Sequence, residues 1–395
     1  MTASTHELAP AQAHQFTFSE FFAGGGMVRA GLGPQWRCVF ANDFDFKKSA
    51  IYRQNWGDGA LLTKDVRTVE AAEVRDSADL AWASFPCQDL SLAGMGAGLK
   101  GDRSGTFWPF WELVTKLSGA GRGPRVVALE NVCGTLTSHG GKDFTAIAKA
   151  LADAGYHFGA LVIDAALFVP QSRPRLFIVA VAGDLAIPPA LVAAEPTARW
   201  HSRALRTAHG RLDEETRQHW VWWNMAAPAR RTIRLKDLIE DEPSSVAWHT
   251  RDETAKLLGM MNKRNMDKVR DAKKAGKLTV GTVYKRTRHD DDGDKVQRAE
   301  VRFDGVAGCL RTSSGGSSRQ LIVVVKGEKV RSRLLSSRET ARLMGLPDSY
   351  ALPENYNEAY HLTGDGVVLP VVRHLADQIL EPILAPKATV IHLVA

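Results

Sequence analysis

Phe16-Thr-Phe-Ser-Glu-Phe-Phe-Ala-Gly-Gly-Gly-Met-Val28 is the stretch on which the fold turns. A run rich in aromatic residues passes directly into three glycines, and a helical pattern follows. A strand that opens into a glycine-rich turn before a helix lets a ligand approach the backbone closely near the helix N-terminus. Working outward, short apolar runs recur at 37–41, 80–84, 126–129, 160–163 and 176–181. Helical patterns lie between them at 46–55, 107–116 and 144–152. Alternation of this kind predicts an α/β fold built on a doubly wound, mostly parallel sheet. The last two runs are close in sequence and are expected to pair as a hairpin at one sheet edge.

The second run ends in Asn42-Asp43, which puts Asp43 19 residues beyond Gly24. A carboxylate there is placed to accept hydrogen bonds from ribose hydroxyls, so the pattern points to an adenosine-type cofactor. A nicotinamide or flavin dinucleotide is the rival. Its fingerprint wants a third glycine close to the helix, and Arg29 stands at that place.

Three further motifs fall at the ends of runs. The run at 80–84 leads into Ser84-Phe-Pro-Cys-Gln-Asp-Leu-Ser91. A cysteine just past a strand's C-terminal end lies on the edge where open α/β sheets bind ligands. There it can be exposed and activated, whereas a cysteine inside a strand is usually inert core. The next run ends in Glu130-Asn-Val132 on the same edge, where a carboxyl group can protonate or hydrogen-bond a ring nitrogen of a substrate. Gln171-Ser-Arg-Pro-Arg175 then places two guanidinium groups at alternate positions, donors suited to a carbonyl oxygen or a phosphate.

Composition narrows the class. A chain of 395 residues exceeds what one core usually fills, so two domains are expected. The formal net charge of +7 and a pI near 9.2 favour a polyanionic partner. No apolar run is long enough to span a membrane, and residues 1–15 are polar and Ala-rich, read as the frayed terminus of a cytoplasmic protein. Cys38, Cys87, Cys133 and Cys309 lie far apart with no CxxC pair, so neither a metal site nor a disulfide framework is expected. Asp290-Asp-Asp-Gly-Asp294 resembles a calcium loop, but placing Gly293 sixth puts Arg288 first, where a carboxylate is needed. It reads as an exposed turn.

Taken in order, the motifs resemble those of the DNA (cytosine-5)-methyltransferase family, in its unpermuted arrangement. Phe22-Ala-Gly-Gly-Gly26 comes first, then Phe85-Pro-Cys-Gln88, Glu130-Asn-Val132 and Gln171-Ser-Arg-Pro-Arg175. Arg338-Glu-Thr-Ala-Arg-Leu-Met-Gly-Leu-Pro-Asp-Ser-Tyr350 and Gly364-Asp-Gly-Val367 follow. The resemblance implies that S-adenosyl-L-methionine is the cofactor and that double-stranded DNA, with one cytosine flipped out, is the substrate. It implies Cys87 as the nucleophile adding to C6 of the base, Glu130 at N3 and the exocyclic amine, and Arg175 at O2 with Arg173 supporting its loop. For the cofactor it implies Phe22 against the adenine, Asp43 on the ribose, Asp65 on the adenine amino group, and Pro86 and Gly366 lining the rest. Ala23, Gly24, Gly25, Gly26, Val66 and Asp365 complete that set. Met27 stands where a further glycine is common, Asp43 replaces a frequent glutamate, and Asp365 sits where asparagine is typical.

The same resemblance reads 93–105 as a mobile catalytic loop with Arg103 on a phosphate and Gln88 near the DNA. It reads 184–335 as a target recognition domain between a catalytic domain at 16–183 and a closing segment at 336–395. Arg311, Thr312, Ser313, Gly315, Gly316 and Arg319 are its expected DNA-contacting residues, since a glycine pair among hydroxyls and arginines can follow a groove closely. A monomer is expected, and a cognate restriction endonuclease is compatible with the reading. Two alternatives stay open: a transfer-RNA cytosine-5 methyltransferase, which shares the catalytic core, and a non-catalytic DNA-binding relative.

Overall fold

The computed structural model describes residues 15–86, 104–289, 293–311 and 319–385. Seven strands form the main sheet: β1 (Phe16–Phe21), β2 (Trp36–Asp43), β3 (Leu61–Thr63), β4 (Leu80–Ala83), β5 (Val126–Val132), β6 (Tyr156–Asp164) and β7 (Pro174–Ala182). Their order is β3-β2-β1-β4-β5-β7-β6. The β1, β2, β3, β4 and β5 pairings are parallel, and β7 is antiparallel to both β5 and β6. The expected doubly wound, mostly parallel sheet is therefore present, with β6 and β7 paired at one edge.

Sequence explains why these strands sit in the middle. Leu80-Ala-Trp-Ala83 is buried at every position, as a strand covered on both faces requires. Along β5, Val126 and Ala128 join one apolar cluster while Val127 and Leu129 join another, the period-two alternation of a strand between two helical layers. On the first side lie α1 (Met27–Leu32) and α2 (Phe46–Trp56). On the other side, α3 (Phe107–Gly119) and α4 (Lys142–Asp153) supply Phe107, Phe110, Trp111, Phe144 and Ile147.

Past β7 the chain does not leave this core at once. Trp200, Leu205 and Trp223 are buried with the residues of the main sheet, in a segment that carries α5 (Arg203–His209) and α6 (Glu214–Gln218). Phe158 of β6 exchanges backbone hydrogen bonds with His219 and Val221. Trp200, Trp220 and Trp223 find their apolar partners against β6 and the main-sheet core. A separate small core begins near α7 (Arg251–Gly259) and α8 (Lys263–Lys274), which cover a four-stranded antiparallel sheet. Its strands are β8 (Thr279–His289), β9 (Lys295–Arg302), β10 (Leu321–Lys326) and β11 (Lys329–Leu334), in the order β11-β10-β8-β9.

From β11 the chain returns to the main sheet through α9 (Ser337–Leu343), α10 (Tyr356–Asp365) and α11 (Leu369–Leu375). The turn into α9 is held by an ion pair with no exposed side chain on either partner: Arg333 donates to both oxygens of Glu339 at 2.6 and 2.7 Å. Glu339 also completes a capping box with Ser336 and accepts from the Glu240 backbone at 2.7 Å. Three chain segments meet at this one carboxylate. Within α1, Gly31 makes room for Val372 and Leu369 of α11, so α11 packs directly against the α1 side of the sheet.

Candidate active site

The glycine-rich turn and the ends of β2 and α10 form one wall of the site. Asp43, at the end of β2, accepts from the backbone of Gly24 at 2.8 Å and of Asp45 at 2.8 Å. Burial pushes its carboxyl up, against the pull of Lys48 and those two amides. The glycines divide in purpose. A side chain at Gly25 would run into the Tyr350 hydroxyl, and one at Gly26 into Trp56 and Tyr52. Tyr350 and Trp56 both donate to the Gly25 carbonyl, at 2.6 and 3.0 Å. At Gly24, with φ of +54°, only the Lys48 stem comes near, so that backbone faces open space. Only Gly24 is positioned to let a ligand near; Gly25 and Gly26 admit neighbouring side chains instead.

Phe22 precedes the turn with a left-handed φ of 58°, unusual for a residue with a side chain. Ala23 is buried and its amide reaches the Asn42 carbonyl at 2.9 Å. Met27 lies where Gly366 has no side chain, which accommodates the larger residue in the turn. Beneath them Glu20 is fully buried, accepting from the Val28 and Arg29 amides at the start of α1 with one oxygen unpartnered. Burial, opposed chiefly by Arg29, pushes its carboxyl up to about 8. Asp65 and Val66 follow β3; Val66 is buried, while the Asp65 carboxylate is taken by Arg67 at 2.6 Å. An adenine amino group approaching Asp65 would compete with Arg67.

The chemistry-bearing residues lie on the neighbouring strand ends. Glu130 of β5 and Arg175 of β7 form an ion pair, Arg175 Nε to Glu130 Oε1 at 3.1 Å, with both side chains largely buried. Asn131, next to Glu130, donates to the Phe85 carbonyl at 3.4 Å and so ties the turn after β4 to β5. Pro86 is half-buried at the end of that turn. Cys87, Gln88 and Arg103 lie outside the described residues, as do Thr312, Ser313, Gly315 and Gly316.

Arg173 does not face the crevice. It is buried, and its Nη1 donates to the Leu310 carbonyl at 3.1 Å and to Cys309 Sγ at 3.3 Å. Its Nη2 donates to the Gly364 and Gly366 carbonyls at 2.8 and 2.7 Å. One guanidinium thereby joins β7, the segment before residue 311 and the end of α10. Gln171, also buried, works beside it: its amide donates to Leu343 at 2.9 Å and accepts from Leu310 N at 3.1 Å. Gln320 N donates to the Tyr360 hydroxyl at 3.1 Å. The described chain is thus fastened on both sides of 312–318, Leu310 to Gln171 and Gln320 to Tyr360. Arg311 at one root is exposed; Arg319 at the other lies over the Tyr356 ring at 5.6 Å.

Sequence reasoning missed Cys309. Burial would raise its thiol, but Arg173, Arg175 and Arg311 outweigh that and hold it below the usual range. Little local marks it, since Arg173 and Arg175, the two guanidiniums that reach its sulfur, come from more than a hundred positions away. Gln171 was legible as part of a motif, though its anchoring role was not. Among the described residues no group of three or more His, Cys, Asp or Glu could hold a metal ion, and no helix is long and apolar enough to cross a membrane.

The residues fit an adenosyl cofactor: an open glycine backbone, a carboxylate presented beside it at the end of β2, and no third glycine turn for a pyrophosphate. A family model for C-5 cytosine-specific DNA methylase matches residues 16–381. The chain is 25% identical to the type II methyltransferase M.Bsp6I of Bacillus sp. (strain RFL6), over 93% of this chain and 99% of that one. It is 24% identical to the type II methyltransferase M.HpaII of Haemophilus parainfluenzae, over 95% and 92%. In fold it is similar to the Dnmt2 methyltransferase of S. pombe, with a TM-score of 0.56 at 17% identity over 93% of this chain and 99% of that chain.

Proposed function

The chain belongs to the C-5 cytosine-specific DNA methylase family, whose methyl donor is S-adenosylmethionine, and from that premise we propose that it methylates a cytosine flipped out of a specific duplex sequence, with Cys87 as nucleophile. The observation that carries the reading is the Glu130–Arg175 pair at 3.1 Å, on the edge where Phe85 and Pro86, the residues that precede Cys87 in sequence, follow β4. Cytosine presents O2, N3 and the exocyclic amine along one edge. A guanidinium beside a carboxyl group matches that edge, Arg175 donating to O2 and Glu130 meeting N3 and the amine.

The Cys87 thiolate would add to C6, and Glu130 would stabilise the charge that this places on the ring. S-adenosylmethionine supplies an electrophilic methyl group. C5, made nucleophilic by the addition, takes that methyl; loss of the C5 proton to water and elimination of the thiolate then restore the aromatic ring. A thiol suits both ends of this cycle because it attacks readily and leaves readily. The target carbon is buried in a stacked duplex, so the base must rotate out, at a cost of a few kcal/mol. Arg173 and Gln171 act one step back by holding the site's walls together.

On the cofactor side we assign Asp43 to the ribose, Gly24 to the closest backbone approach, and Phe22, Pro86 and Gly366 to the surrounding walls. We assign target reading to the small unit that starts near residue 251, with Arg311 and Arg319 flanking the stretch that enters the DNA. Its separate core and the two anchored loop roots support this division. The type II methyltransferase relatives support a cognate restriction endonuclease as a functional partner, and a single active site acting on one strand at a time suits a monomer.

The test is methyl transfer from labelled S-adenosylmethionine to mixed-sequence duplex DNA and, in parallel, to transfer RNA, read by nucleoside mass spectrometry. 5-Methylcytosine in DNA, and none with Cys87→Ala although that variant still binds DNA and cofactor, is the expected result. Methylation retained by Cys87→Ala would overturn the mechanism, and label in RNA alone would overturn the substrate.

A further inference from the structure

Asp365, which stands where asparagine is typical, has a partner that no motif announces. Lys48 Nζ lies 2.8 Å from Asp365 Oδ2. Lys48 comes from the first turn of α2 and Asp365 from the last residue of α10, 317 positions apart in the chain. The two side chains are 24% and 42% exposed, so the pair is reachable from solvent. The Lys48 stem passes 4.0 Å from where a side chain at Gly24 would begin, and nothing else comes that near. Burial alone would lower the Lys48 ammonium; Asp365 and Asp43 outweigh it and hold it protonated. An ammonium and a carboxylate in contact therefore border the one open glycine of the turn, next to the carboxylate assigned to the ribose.

A partly exposed ion pair adds little to folding, which leaves its place on the cofactor wall to be explained. S-adenosylmethionine ends in a zwitterionic amino acid, with an α-carboxylate and an α-ammonium on one carbon. We propose that Lys48 and Asp365 bind that end, the lysine taking the α-carboxylate and the aspartate the α-ammonium. This rests on the reading of the cleft as the cofactor site. Two ion pairs set head to tail give each charge an opposite neighbour, and the protein pair stays intact. Asp365 alone would repel the cofactor's carboxylate, and Lys48 cancels that repulsion. The aspartate is thus half of a two-residue device.

Isothermal titration calorimetry on the full chain tests this with three probes: S-adenosylmethionine, S-adenosylhomocysteine and 5′-deoxy-5′-methylthioadenosine, which lacks the amino-acid end. Lys48→Met should weaken the first two by about tenfold, or roughly 1.4 kcal/mol, and leave the third within about twofold. Asp365→Asn should weaken the same two by a smaller factor. The Lys48→Met/Asp365→Asn double variant should lose less than the two single losses combined, since removing both charges also removes the unpaired one. Equal weakening of all three probes would make the pair a structural strut, and unchanged affinities would place it away from the ligand; either overturns the proposal while leaving the cofactor reading intact. A wild-type chain that binds none of the three would overturn both.

Discussion

Replacing Arg173 by methionine should separate a positioning role from a catalytic one. The guanidinium is buried and makes short donations to three carbonyls, at 3.1, 2.8 and 2.7 Å, and a longer one to Cys309 Sγ at 3.3 Å. Three charge-assisted bonds contribute roughly 1.5–3 kcal/mol each. Against them stands the desolvation of a buried cation, several kcal/mol, the same burial that draws the Arg173 pKa down. Methionine fills much of the volume and removes both terms, but it leaves three buried carbonyls without their donor. The net loss is about 2–4 kcal/mol, enough to lower Tm by roughly 2–5 °C in a chain of this size. With Gly366 in the proposed cofactor wall, cofactor affinity should fall with it. Methyl transfer at saturating cofactor and DNA, below the new melting range, should stay within about tenfold of wild type. Thermal melts followed by circular dichroism, and single-turnover assays on duplex DNA, read the two effects separately. An unchanged Tm together with a lost single-turnover rate would refute the reasoning, because Arg173 would then be touching the reacting base.

Glu130→Gln removes the charge that answers Arg175 and the proton-exchanging group at the base edge, so the single-turnover rate should fall by roughly 10²–10⁴-fold while calorimetry shows cofactor binding retained; a wild-type rate would sink its assignment. Glu20 carries a pH dependence. Its carboxyl is held at about 8 in the fold against an ordinary 4.5, so the stability linked to its protonation is complete below about pH 4.5 and is lost progressively as pH rises toward 8. Glu20→Gln should therefore melt above wild type at pH 8, with the gap closing near pH 5, and a pH-independent gap would contradict the burial argument. At the turn into α9, Glu339→Gln strands Arg333 in a site where neither side chain meets solvent, and urea unfolding should show a loss of about 3–5 kcal/mol. Arg333→Met/Glu339→Leu should recover most of it, and equal loss in both variants would show that the ion pair itself is not the determinant.

How much of this was legible beforehand follows from how far each feature depends on distant residues. The runs at 80–84 and 126–129 announce central strands because both faces are covered and apolar residues are required throughout. β3 escaped, since Leu61-Leu-Thr63 is three residues long and half-buried, too short to show a period. β8 escaped for a different reason. Its Thr279–His289 run turns basic after Tyr284 although Val280, Thr282 and Val283 are buried, so no continuous apolar run marks it in the sequence. The strand became visible only through β9 and β10 pairing on either side of it. The tryptophans at 200, 220 and 223 looked like part of a separate unit by position, and packing assigned them to the first core.

The candidate site divides along the same line. The residues to which we assign chemistry at the strand ends, namely Asp43, Glu130, Arg175 and the turn at Gly24, stand out in the sequence because a strand, a turn and a polar side chain are contiguous there. That contiguity determined the fold class, the cofactor class and the reacting edge. Lys48 beside Asp365, Arg173 between Leu310 and Gly366, and Arg333 against Glu339 depend on chain segments that meet only after folding. Tertiary structure alone decided them, because a charge finds its partner through space, and the folded path of the backbone determines which residues come within 3 Å of one another.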